Sequence, residues 1–320
     1  MFPIEVNARG GALLPVANGR ALRGRLAEAL GAVPAQAPVV VMVHGYKYSP
    51  FAPETDPHRQ VYALRPGVDC WKVRSWPRGL GFSGAGGAEG FCIGFGWHAT
   101  APRLASGLAE VHRRSTVAAA ALTELLVLID DLAPGRAVDL FAHSLGGRVT
   151  LAALAGAPVP LRGRAVLLGA ADYRSGAEAA LANPSARGVE FFNITSREND
   201  LYDVFFRSIV PPQTRRDRVL GTGLPGAPPR WVDLRIDDPA TLAALGSRGL
   251  RIAPRLRRHC HWSFYRRPGI WGLYRAILRE RGGWSASALN RLLPEAAPAA
   301  ETAHPTRRAP RLPDLQFGGA

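Results

Sequence analysis

One ten-residue stretch, Val138-Asp139-Leu140-Phe141-Ala142-His143-Ser144-Leu145-Gly146-Gly147, constrains this chain more than any other. An apolar run ends in a small residue, then His and Ser, and a glycine pair opens an alanine-rich segment with a helical pattern. A turn from strand to helix at that point pushes Ser144 out of the backbone, where a base can reach its hydroxyl. A serine that merely caps the helix is the plainer reading, since Ser is a common N-cap. The strand before it and the glycine pair after it favour a nucleophile.

The rest of the chain supplies a setting for such a turn. Val39 to Val43 is a continuous apolar run, as expected of a buried central strand, and it ends at His44-Gly45-Tyr46. Residues 47–90, rich in Pro, Gly and Trp, read as a long excursion covering a site. Strands are expected at 91–97, 138–141, 165–169, 189–194 and 231–236, with helices at 104–132, 146–154 and, in part, 265–279. This alternation predicts an α/β fold with a mostly parallel central sheet flanked by helices. The expected organisation is a single domain over 1–293, with cap-like loops at about 47–90 and 205–258. A flexible, Ala-, Pro- and Arg-rich tail is expected over 294–320.

Charge asks for a separate account. The 320 residues carry 40 Lys and Arg against 25 Asp and Glu, a formal charge of +15. Such a surface favours anionic lipid, nucleic acid or an acidic substrate. The arginines are scattered, however, and no nucleic-acid fold accompanies them, so nucleic acid ranks low. Peripheral contact with an anionic membrane stays open. Two local patches stand out, Arg207, Arg215, Arg216 and Arg218, and Arg255, Arg257, Arg258, Arg266 and Arg267; a solvated face is the simpler reading of both.

Cys70, Cys92 and Cys260 form no CxxC pair, although Cys70 and Cys260 could bridge. No HExxH-type spacing suggests a metal site, and the glycine-rich run 83–87 lacks the ending of a phosphate loop. No metal and no organic cofactor is expected. The start of the chain lacks the pattern of a signal peptide, and its apolar runs are too short to span a bilayer, so the expected location is cytoplasmic.

The segment from Ala142 to Gly147 resembles the nucleophile elbow of the α/β-hydrolase superfamily, with Ala142 in place of the usual first glycine. His44-Gly45 resembles that family's oxyanion loop. The likeness spans about 38–270, and within the superfamily the chain looks most like uncharacterised bacterial esterase-like proteins. The resemblance implies an α/β-hydrolase fold with a long insertion after the first core strand. It implies oxyanion donors at the backbone N–H groups of Tyr46 and Leu145, and the order Ser, acid, His along the chain. His261 is then the base, with His259 as the alternative. His143 turns away, and His44 belongs to the oxyanion turn. Asp200, after the strand 189–194, is the implied acid; Asp172 follows the preceding strand, and Asp203 and Glu198 are further options.

These parts describe a serine hydrolase that cleaves a small-molecule or lipid-like acyl ester through an acyl-enzyme. A thioesterase, lipase, amidase or acyltransferase would use the same groups, and a non-catalytic binding or scaffold protein on the same fold is the alternative of a different class. Tyr48, Phe51, Tyr62, Trp71, Trp76, Phe82, Trp97, His98, Phe205, Phe206 and Trp262 could line an apolar pocket or simply cover the sheet.

Overall fold

The computed structural model describes residues 3–15, 21–102 and 104–294. The expected tail therefore lies, from residue 295 on, outside the described residues. In chain order the regular elements begin with β1 (Ile4–Arg9), β2 (Ala12–Leu13), α1 (Leu22–Gly31), β3 (Val39–Val43), α2 (Trp76–Gly79) and β4 (Phe91–Gly96). The middle of the chain forms α3 (Leu104–Leu132), β5 (Asp139–His143), α4 (Leu145–Ala155), β6 (Arg162–Leu168), α5 (Arg174–Ala182) and β7 (Gly188–Thr195). It closes with α6 (Asp200–Ile209), β8 (Trp231–Arg235), α7 (Pro239–Gly246), α8 (Ser263–Arg266), α9 (Ile270–Arg279) and α10 (Ala286–Leu292).

The strands form one eight-stranded sheet in the order β2-β1-β4-β3-β5-β6-β7-β8. All neighbours pair in parallel except the short edge strand β2. Parallel strands need crossovers, and the helices that supply them cover both faces. This is the α/β-hydrolase arrangement, with the long excursion inserted after β3.

Period-two geometry explains why β3 is apolar throughout. Val39, Val41 and Val43 enter the core shared with α1, α3 and α4, whereas Val40 and Met42 enter the opposite core, shared with α9 and α10. β5 divides in the same way, Leu140 and Ala142 to one side and Phe141 to the other. The excursion fills the second core, where Tyr62, Trp76, Leu80 and Phe82 are buried. Three of the aromatics that might have lined a pocket thus cover the sheet.

Two stretches differ from the expected pattern. The single closing helix is two, α8 and α9, because Pro268 between them has no N–H to continue the ladder. β1, unread in the sequence, buries Ile4, Val6 and Ala8 while Glu5 and Arg9 face out, a half-covered strand beside β4. Among the described residues no helix is long and apolar enough to cross a membrane. Cys70, Cys92 and Cys260 are all free thiols, so the possible Cys70–Cys260 bridge is absent.

Candidate active site

β5 runs directly into α4 through Ser144, whose backbone sits at φ 56° and ψ −125°. Ser144 and Lys47 are the non-glycine residues with positive φ among those described. Such a conformation costs on the order of 1–3 kcal/mol and persists only where its surroundings hold it. Here Ser144 N–H donates to Leu168 O at 3.0 Å, and Ser144 O accepts from Gly147 N–H at 2.9 Å and Ala171 N–H at 3.0 Å. The small residues allow neighbouring backbone to close in. A Cβ on Gly146 would stand 2.2 Å from Val43 O, and one on Gly45 would stand 2.8 Å from Ser144 Cβ. The turn after β3 is therefore packed directly against the serine.

His44 builds that turn. Its imidazole is fully buried, its Nδ1–H donates to Gly45 O at 2.9 Å, and its Nε2 accepts from Trp97 N–H at 3.1 Å. Trp97 Nε1–H returns a bond to His44 O at 3.0 Å, and Tyr62 Oη accepts from His44 N–H at 2.6 Å. Burial drives its pKa down to about 3, so the ring stays neutral and keeps one donor and one acceptor. Lys47 N–H donates to Ala99 O at 2.8 Å and pins the far side of the turn. Leu145, the first residue of α4, has an N–H without an intrahelical partner by geometry. Tyr46, Ser144 and Leu145 all line one cavity.

His261 lines the same cavity, enclosed between His143, with ring centroids 4.5 Å apart, and Tyr202, stacked at 4.8 Å. Burial, then the neighbouring His143, holds its pKa well below the ordinary histidine value. His143 Nε2–H donates to His261 O at 3.1 Å, so the residue beside the serine supports the loop that carries His261. That loop is fixed again at Glu198. The Glu198 main-chain oxygen accepts from Cys260 N–H at 2.9 Å, and its carboxylate accepts from Arg257 N–H at 3.1 Å and pairs with the buried Arg267.

The partner of His261 Nδ1 is Asn199, whose Oδ1 lies 2.6 Å away. Asn199 Nδ2 in turn donates to Asp203 Oδ1 at 2.9 Å. A carboxyl oxygen accepts, so the amide nitrogen faces Asp203 and the amide oxygen faces the imidazole. Asp203 is enclosed in the cavity wall, and burial, with Asp200 nearby, pushes its pKa up to about 8.

The other carboxylates stand elsewhere. Asp200, expected as the orienting acid, is exposed and in the field of Asp237, Arg197, Arg255 and the exposed His259; the contact at Nδ1 belongs to its chain neighbour. Asp172 is buried in an ion pair with Arg148 of α4 at 2.7 Å and also accepts from Tyr173 N–H at 2.9 Å. Glu198 is committed to Arg267. Asn199 is not a carboxylate, but an amide can also orient an imidazole, and its place between Glu198 and Asp200 is the only signal of it in the sequence.

The cavity, roughly 200 Å³, is walled by Tyr48, Leu108, Phe205, Phe206 and Trp262, with Lys47 and Lys72 among its polar members. Phe51 and Trp71 are exposed. The basic patches are also partly structural: Arg267 is buried against Glu198, and Arg257 and Arg266 lie over the Trp71 ring at 5.2 and 4.9 Å. Among the described residues no cluster of His, Cys, Asp or Glu is arranged to hold a metal ion. Compared with known protein families and with curated proteins, the chain finds a match in neither.

Proposed function

We propose that this protein is a serine hydrolase that cleaves carboxylic esters through an acyl-enzyme. The observation that carries the reading is Ser144 itself, held in a costly positive-φ conformation at the head of α4 and facing a cavity that it shares with His261. A helix cap needs no such conformation.

In this reading His261 is the general base. Its Nδ1–H is committed to Asn199, which leaves the Nε2 lone pair to take the Ser144 proton. Asp203 holds the Asn199 amide in the orientation that makes this tautomer. Ser144 Oγ attacks the acyl carbon, and the charge that develops on the carbonyl oxygen is met by the N–H groups of Tyr46 and Leu145. The imidazolium then gives its proton to the leaving alcohol, and the acyl group remains on Ser144. Water enters, His261 takes its proton, and the second tetrahedral species collapses to release the acid and restore the serine. The packing of Gly45 against Ser144 supports the oxyanion assignment, since it brings the Tyr46 amide close to the nucleophile.

The test is covalent labelling by a neutral fluorophosphonate, with release of p-nitrophenol from short esters. Ser144→Ala should abolish both, and His261→Ala should reduce both by several orders of magnitude. A folded parent protein that neither labels nor turns over would turn the reading toward the scaffold alternative.

A further inference from the structure

Two lysines line the cavity that holds the proposed nucleophile. Lys47 directly follows Tyr46, and its backbone is fixed at φ 82° and by the bond to Ala99 O. Lys72 comes from the excursion, with Nζ 4.7 Å from the Trp262 ring centre and 5.7 Å from that of Trp71. Trp262 is the residue after His261, so the second cation is tied to the loop that carries the base. Both lysines line the cavity together with Ser144 and His261.

The two cations feel each other. The Lys47 ammonium is driven below its ordinary pKa first by burial and then by Lys72. An anion within reach of both lysines would offset that repulsion. Two acidic side chains share the wall. Glu54 is exposed, and Asp203 is engaged with Asn199 on the base's side.

We propose that the cavity takes an ester with an anionic headgroup, a carboxylate or a phosphate, held by Lys47 and Lys72 while the ester carbonyl lies at Ser144. The side chains of Tyr48, Phe205 and Phe206 in the same cavity wall suit a short hydrocarbon spacer between the two polar ends. This inference rests on the serine-hydrolase reading for the position of the ester. Its anionic selectivity is measurable without turnover.

Calorimetric titration of Ser144→Ala protein separates the two. The probes are dimethyl adipate, which is neutral, monomethyl adipate, which carries a carboxylate, and the methyl ester of 6-phosphooxyhexanoic acid. At least one anionic probe should bind about tenfold tighter than the neutral diester, and the advantage should shrink as salt is raised. Adding Lys72→Met should remove the preference and Lys72→Arg should retain it, with melting temperature reporting that each variant is folded. The tighter anion identifies the headgroup. Equal affinities, a preference that survives both Lys72→Met and Lys47→Met, or no binding by any probe overturns the inference. Fluorophosphonate labelling of the parent protein judges the hydrolase reading separately.

Discussion

Replacing Asn199 by Ala would remove the acceptor 2.6 Å from His261 Nδ1 and leave the rest of the proposed machinery in place. In the ground state this bond joins two neutral groups, and its net value is about 1 kcal/mol. In the transition state the imidazole carries charge, and a bond to a charged group contributes about 1.5–3 kcal/mol. The difference between the two states, about 0.5–2 kcal/mol, therefore predicts a fall in kcat/KM of roughly 2- to 30-fold. Steady-state hydrolysis of p-nitrophenyl butyrate measures it. Because Asn199 is buried and also holds Asp203, a denaturant melt should confirm that the variant is folded. Asp200→Ala is the matched control, since that side chain stands in a different electrostatic setting, and it should stay within about threefold of the parent. Asn199→Asp should keep activity while moving the acidic limb of the pH profile upward, because an adjacent carboxylate favours the imidazolium. An Asn199→Ala variant as active as the parent, beside an Asp200→Ala variant that loses more than a hundredfold, would refute the assignment.

Two further outcomes concern stability. Asp203 has a folded pKa near 8, far above its ordinary value, so between about pH 4 and pH 8 the folded state holds the proton that the unfolded state has released. Folding stability must fall as pH rises through that window, and Asp203→Asn should gain on the parent from pH 4 to pH 8 by on the order of 1 kcal/mol once solvent entering the cavity is allowed for; urea melts in which the gap stays constant with pH would contradict this. Arg267→Met should destabilise by about 3–5 kcal/mol, because it strands the Glu198 carboxylate, whose side chain is 2% exposed, without its ion-pair partner. A change in melting temperature of only a degree or two would show that the pair is not a structural anchor.

The sheet was readable in the chain because parallel strands buried on both faces must be apolar at consecutive positions. Val39–Val43, Phe91–Gly96 and Ala165–Leu168 all announce themselves in that way. β1 did not, since a half-covered strand as short as Ile4–Arg9 alternates with polar residues and resembles loop. The excursion's aromatics could not be sorted between core and cavity by type alone. Tyr62 and Trp76 are buried beneath the sheet, whereas Tyr48 reaches the cavity, and only the path of the chain separates them.

Ser144 was determined locally. A strand, a histidine, the serine and two glycines lie within one turn, and the steric demands of that turn act on neighbours in sequence. The group that meets His261 was decided only by tertiary structure. Asn199 ends one helical turn and Asp200 begins the next, and successive residues there point about 100° apart, so a single position changes which side chain reaches the imidazole. That rotation is set by contacts remote in sequence, where Glu198 grips Arg257, Cys260 and Arg267 across some sixty residues of chain.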